Sequence, residues 1–124
     1  MNVVDSSGWI EYLAGRRNEP FFRAVIEDPA NLLVPSICIH EVVRYLTRAV
    51  DRRGAEEAAA QMKRAKVVPL DANLAVLSAR LGLRHSLALA DSIIYATAQA
   101  QEAKLFTQDA DLAKLPGVKY IRAS

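Results

Sequence analysis

Residues 2–13 of the chain read NVVDSSGWIEYL. The first four of them, Asn2 to Asp5, have the pattern of a short buried strand that ends in a carboxylate. Ser7 then stands where a serine commonly caps a helix, and the segment from Gly8 to Leu13 fits that helix, with Gly15 just beyond its end. A strand followed at once by a helix is the unit from which α/β proteins are built.

Short apolar runs and helical segments alternate in the same way to the end of the chain. Ser36 and Asp71 stand at capping positions for two of the later helices. The order predicts an α/β fold with a central parallel sheet of four to five short strands and helices on both faces. Because alanine is abundant, an all-helical middle of the chain is the alternative. Beyond residue 15, helices are predicted over residues 19–28, 37–50, 55–66, 72–83 and 87–103, and strands over 32–34, 67–68, 105–107 and 119–121.

Length and composition indicate one ordered domain that covers residues 1–124. The chain is 52% hydrophobic and 24% charged, as in ordinary globular proteins, and its net charge of +2 does not by itself indicate a nucleic-acid binder. Cys38 is the only cysteine, so an intramolecular disulfide is impossible and a reducing compartment fits. We see no signal peptide and no uncharged apolar stretch of 18 residues, so the sequence predicts a cytoplasmic protein with no membrane partner.

Acidic residues follow two of the predicted strands. Asp5 closes the first strand, and Asp109 and Asp111 come directly after the strand at residues 105–107. In an open α/β sheet, ligands bind outside the carboxyl ends of the strands, so these acids are expected at one edge. Taken singly, each is equally well explained as a turn or capping residue.

Asp91 lies within the most apolar helical segment. A carboxylate in an apolar surface is unfavourable by several kcal/mol unless it is paired or bound to a cation. A place in the first helical turn would recover only about 0.3–1 kcal/mol through the helix dipole. Asp91 is therefore a stronger candidate for a functional residue than an acid in a turn. Its neighbours on the same helical stripe are Leu87, Ile94, Tyr95 and Ala98.

Glu41 gives a weaker signal. It lies early in its helix, off the apolar stripe, and an exposed pair with Arg44 or Arg48 would account for it at about 0.3–0.5 kcal/mol. The arginines themselves could contact phosphates, although charged runs on helices are usually solvated faces.

A divalent cation would explain why such acids are brought together. Two carboxylates about 4 Å apart repel by ~4 kcal/mol at an effective dielectric constant of 20, so one would otherwise take up a proton. Mg²⁺ and Mn²⁺ prefer hard oxygen ligands. The chemistry that follows from such a site is metal-assisted cleavage of a phosphodiester, which requires no Ser, His or Cys nucleophile.

Four short motifs in chain order resemble those of the PIN-domain ribonucleases. They are Val3-Val4-Asp5-Ser6-Ser7, the segment from Ser36 to Glu41, Leu89-Ala90-Asp91-Ser92-Ile93-Ile94, and Thr107-Gln108-Asp109-Ala110-Asp111. The likeness covers nearly the whole chain. By length it is greatest to the VapC-type toxins of bacterial and archaeal toxin–antitoxin pairs.

This resemblance implies a three-layer α/β/α PIN domain, usually homodimeric, that acts as a Mg²⁺- or Mn²⁺-dependent endoribonuclease on single-stranded or looped RNA. It also implies a cognate antitoxin whose tail covers the active-site groove. By position, the implied catalytic acids are Asp5, Glu41, Asp91 and Asp109. Of these, Asp5, Asp91 and Asp109 would hold the metal, with Asp111 an outer member and Ser6, Ser7 and Thr107 orienting the carboxylates. Arg44 and Arg48 are the candidate RNA-binding residues.

Other functions fit the sequence less well than this one. His40-Glu41 begins like a zinc-protease helix, but Arg44 stands where the second histidine would be needed. An aspartyl-phosphate enzyme would need a second acid two residues after Asp5, where Ser7 stands. A response-regulator receiver would need an acidic pair at the first strand and a phosphate-accepting aspartate after the third. The main rival is a catalytically silent PIN-like module that binds RNA or a protein partner.

Overall fold

The computed structural model describes all residues from Met1 to Ser124. It confirms the α/β prediction, and an all-helical middle of the chain is wrong because β3 forms there. Two 3₁₀ turns, Pro29–Asn31 and Ala110–Leu112, interrupt the loops. The strands are β1 (Asn2–Val4), β2 (Leu32–Pro35), β3 (Lys66–Val68), β4 (Lys104–Thr107) and β5 (Val118–Tyr120). The helices are α1 (Ser6–Leu13), α2 (Glu19–Ile26), α3 (Ser36–Ala49), α4 (Arg52–Met62), α5 (Ala72–His85) and α6 (Leu89–Ala100).

All five strands are parallel, in the order β3-β2-β1-β4-β5. The chain leaves the central strand β1 towards β2 and β3, and then returns to the other side of β1 as β4. The order therefore reverses between β1 and β4, where Val4 is paired with Phe106. In open α/β sheets, the crevice at such a reversal, outside the carboxyl ends of the strands, is where ligands bind.

The central strands are buried because helices flank the sheet. Their side chains form a continuous apolar core rather than an alternating pattern, as expected for parallel strands. Cys38 is part of this core, and its thiol lies 3.8 Å from the Val4 carbonyl. Members that are at most 2% exposed include Val3, Val4, Leu33, Val34 and Leu105. None of the helices is both long and apolar enough to cross a membrane.

The helix caps differ from prediction at two places. Ser7 does not cap α1; Asp5 does, with Oδ1 accepting a hydrogen bond of 2.9 Å from the Gly8 amide. Ser36 does not cap α3, because the preceding residue occupies the cap position and the Ser36 hydroxyl instead accepts from the Leu70 amide. The Asp71 cap of α5 is confirmed, through the amide of Leu74.

Candidate active site

Four elements deliver acids to the crevice at the strand-order reversal. Asp5 follows β1, and Asp109 follows β4. Asp91 lies in the first turn of α6, and Glu41 lies in the second turn of α3. Asp109, Asp5 and Glu41 all contribute charge that raises the pKa of Asp91, so the three acids from the other motifs lie near enough to Asp91 to interact with it electrostatically.

Asp5 is the most enclosed of these acids, with 3% of its surface exposed. Burial raises the pKa of the Asp5 carboxyl, whereas its hydrogen bonds with Thr107, Gly8 and Ser7 lower it. The Ser7 hydroxyl lies 3.0 and 3.1 Å from the two carboxylate oxygens. These donors hold the carboxylate in one orientation and favour its ionised form.

Thr107 links two of the acids. Its buried hydroxyl donates to Oδ2 of Asp5 at 2.5 Å and accepts from the Asp109 amide at 2.9 Å. One side chain therefore fixes both the Asp5 carboxylate and the start of the turn that carries Asp109. These hydrogen bonds are those expected of a residue that orients metal-binding groups, and that role of Thr107 stays a prediction.

The tightest group of acids consists of Asp91, Asp109 and Asp111, each of which has one carboxylate oxygen within 4.8 Å of one oxygen from each of the others. Asp5 is not a member of that group, although the sequence predicted it as a principal ligand and Asp111 only as an outer residue. The 3₁₀ turn after β4 accounts for the position of Asp111, since its amide donates to Oδ1 of Asp109 at 2.9 Å.

Asp91 and Asp109 have the strongest electrostatic coupling in the site. Burial, a hydrogen bond between the two carboxyl groups and the charge of Asp109 raise the pKa of Asp91 to about 7. Burial and the neighbouring negative charges therefore disfavour the ionised form of Asp91. A bound cation would offset this repulsion.

Glu41 accepts a hydrogen bond of 2.6 Å from the Ser6 hydroxyl. It forms no ion pair with Arg44 or Arg48, so the exposed-pair interpretation of Glu41 is wrong; both arginines are exposed on α3. Their contact with RNA stays a prediction. The ion pairs of the chain are Glu19–Arg23, Arg52–Glu56 and Arg53–Glu57.

The residues present fit a divalent cation. The acidic group offers only hard oxygen donors, which Mg²⁺ and Mn²⁺ prefer over nitrogen or sulfur. No lysine or arginine forms an ion pair with any of these acids, so their charge is not neutralised within the protein.

We expect Thr107→Val to weaken Mn²⁺ binding by about 10- to 100-fold, the usual effect of removing a group that orients a metal ligand. The change keeps the branched shape but leaves Asp5 and the Asp109 amide without their shared partner. Isothermal titration would measure the affinity. Thr97→Val is the matched control, because Thr97 is equally buried but bonds only to the Ile93 carbonyl of its own helix. Equal affinities for the two variants would contradict the role assigned to Thr107.

The model of the PIN domain family matches residues 3–118. The chain therefore belongs to the PIN domain family, and similar solved structures share its fold. No curated protein sequence matches it significantly.

Three solved structures illustrate the likeness. A toxin–antitoxin complex from Klebsiella pneumoniae contains a chain that is 25% identical, with a TM-score of 0.80 and 96% of each chain covered. VapC20 of Mycobacterium tuberculosis, a sarcin–ricin loop cleaving toxin, is 20% identical, with a TM-score of 0.79 and coverage of 99% of this chain and 100% of that one. DNA-bound VapBC from Salmonella typhimurium is 12% identical, with a TM-score of 0.77 and coverage of 98% and 96%.

Proposed function

We propose that the protein is a Mg²⁺- or Mn²⁺-dependent endoribonuclease that acts as the toxin of a toxin–antitoxin pair. The observation that carries this proposal is the group of three carboxylates within 4.8 Å, at the strand-order reversal of a PIN domain. No cationic side chain is paired with this group, and burial together with the neighbouring acids raises the pKa of Asp91 to about 7.

Asp5, Asp91 and Asp109 would hold the ion, and the position of Asp111 supports it as a further ligand. A bound divalent ion supplies an activated water and neutralises charge on the phosphate oxygens during cleavage. The chain's own contribution is orientation, because Thr107 and Ser7 fix Asp5. Ser6 fixes Glu41 in the same way, so that this acid completes the negative site at which the phosphodiester is cut.

The partners are proposed from the similar structures. The Klebsiella and Salmonella structures are toxin–antitoxin assemblies, which supports a cognate antitoxin for this chain. The sarcin–ricin loop specificity of the Mycobacterium toxin supports single-stranded or looped RNA as the substrate class. A homodimer, a cytoplasmic location and RNA contacts by Arg44 and Arg48 remain predictions from the sequence.

Cleavage of a panel of single-stranded and stem–loop RNAs tests the proposal. We expect the purified protein to cut at least one of them with Mg²⁺ or Mn²⁺ and to stop when excess chelator is added. Cutting that continues in chelator would contradict metal dependence. Binding of the RNAs without any cutting would favour the silent PIN-like module instead.

A further inference from the structure

A second polar cluster lies beside the acidic site. It consists of Glu11 on α1, Asn18 in the loop after α1 and Gln108 after β4, and we call it the Glu11 cluster. The Glu11 carboxylate accepts from the Asn18 amide at 3.0 Å and from the side-chain amide of Gln108 at 3.3 Å. The side chain of Asn18 in turn donates to Gln108 at 2.9 Å and to the Arg122 carbonyl at 3.0 Å.

The cluster contains a buried charge without a cation. Glu11 is 5% exposed and Asn18 is 6% exposed, and no ion pair includes Glu11. A buried carboxylate is unfavourable unless several hydrogen bonds compensate for the lost water, and an apolar residue of similar size would often stabilise the fold as well. The cluster therefore contributes to something other than core packing.

Gln108 connects this cluster to the acidic site. Successive side chains of an extended segment point in opposite directions. The Thr107 hydroxyl accordingly contacts Asp5, and the Gln108 amide contacts Glu11. Asp109, the next residue, has its amide held by Thr107, and one of its carboxylate oxygens lies within 4.8 Å of an oxygen of Asp91. The turn that delivers Asp109 is thus held from two sides, by Thr107 and by the Glu11 cluster.

We propose that Glu11 is a positioning residue for the metal site: through Gln108 it fixes the turn that places the Asp109 carboxylate beside Asp91 and Asp111. This inference rests on the proposed function, since it assigns a purpose to Glu11 within that site. Glu11 contacts neither metal nor RNA in this account. It acts only through the position of Asp109.

Exchanging the two functional groups tests the inference. In wild type, the two carboxylate oxygens of Glu11 accept from the backbone amide of Asn18 and the side-chain amide of Gln108. Glu11→Gln leaves only one oxygen for these two donors. Gln108→Glu instead places two carboxylates next to each other. The double variant Glu11→Gln/Gln108→Glu restores the pattern, because the new amide at position 11 can accept from the Asn18 amide and donate to the new carboxylate at position 108. That carboxylate can still accept from the Asn18 side chain.

Two readouts separate positioning from mere stability. We expect amide hydrogen exchange at Asp109 and Asp111 to be about 10-fold faster in each single variant, while exchange of the Leu81 amide in α5 is unchanged. We expect Mn²⁺ affinity to fall by about 10-fold, as for other groups that orient metal ligands. Both quantities should return to within about twofold of wild type in the double variant. Glu27→Gln is the matched control, because the Glu27 carboxylate accepts only from the Tyr12 hydroxyl at the surface.

Unchanged exchange at Asp109 in the single variants, or a double variant as impaired as they are, would overturn the inference. Should Glu11→Gln fail to fold, Gln108→Ala cuts the same link without adding charge, and normal exchange at Asp109 in that variant would overturn it equally. Failure of the wild type to bind Mn²⁺ would contradict the proposed function instead, and exchange at Asp109 would still decide the role of Glu11.

Discussion

Replacing Asp91 with asparagine is expected to slow Mn²⁺-dependent RNA cleavage by about 1000-fold or more, or about 4 kcal/mol of transition-state stabilisation. Asparagine keeps the size of the side chain but removes the negative charge and one ligand oxygen from the group shared with Asp109 and Asp111. Asp5→Asn should have an effect of the same order, because the amide group would also disturb the hydrogen bonds with Thr107 and Ser7.

Single-turnover cleavage of the best RNA of the panel, at saturating Mn²⁺, measures this effect. Asp71→Asn is the matched control, since Asp71 only caps α5 and asparagine is an equally good capping residue. The control should cut at the wild-type rate. If Asp91→Asn and Asp5→Asn cut as fast as the control, the acidic group is not the catalytic centre.

Asp91→Asn should also stabilise the metal-free protein at pH 8. The pKa of Asp91 is about 7 in the folded protein and near its ordinary 3.8 in the unfolded chain. The folded state therefore binds the proton more tightly, and this contribution to stability is fully present below about pH 4 and lost as the pH rises through 7. Asp91→Asn does not lose stability in this pH range, because asparagine does not ionise. Discounted for the solvent around a half-buried group, its advantage at pH 8 is about 1–2 kcal/mol.

Added Mn²⁺ should reverse this order. At a free concentration 100 times the dissociation constant, a bound ion stabilises the wild type by about 2.7 kcal/mol, whereas the variant should gain little. Urea unfolding at pH 5 and pH 8, with and without Mn²⁺, gives all the required free energies. A variant that is less stable than the wild type at pH 8 without metal, or that gains as much from Mn²⁺, would contradict the electrostatic account.

The fold could largely be predicted from local patterns, because parallel strands buried on both faces read as short apolar runs. Helix starts were less predictable. The helix predicted to begin at Ala55 begins at Arg52, because Asp51 caps it there. The side chain of Asp51 accepts a hydrogen bond from the Gly54 amide. The cap of α1 was assigned to Ser7, whereas Asp5 was expected to be either a site residue or a turn or capping residue. The Asp5 carboxylate caps α1 and also lies among the acids of the candidate site, and this depends on the backbone geometry at the end of β1.

The acids of the candidate site could be predicted where the sequence places them directly after a strand or within an apolar helical stripe. Asp111 was underestimated because the 3₁₀ turn that carries it towards Asp91 leaves little trace in the sequence. Glu11 was missed because its partners, Asn18 and Gln108, are 7 and 97 residues away along the chain. One signal was available: Glu11 lies three residues after the buried Gly8, on the same face of α1.

The most direct test of the metal site is anomalous diffraction from crystals soaked in Mn²⁺. The account predicts an anomalous peak bonded to the carboxylates of Asp91 and Asp109, with metal–oxygen distances of roughly 2.1 Å. Asp111 or Asp5 should complete the coordination. Well-diffracting crystals that show these carboxylates in contact with one another and no anomalous peak between them at millimolar Mn²⁺ would contradict it.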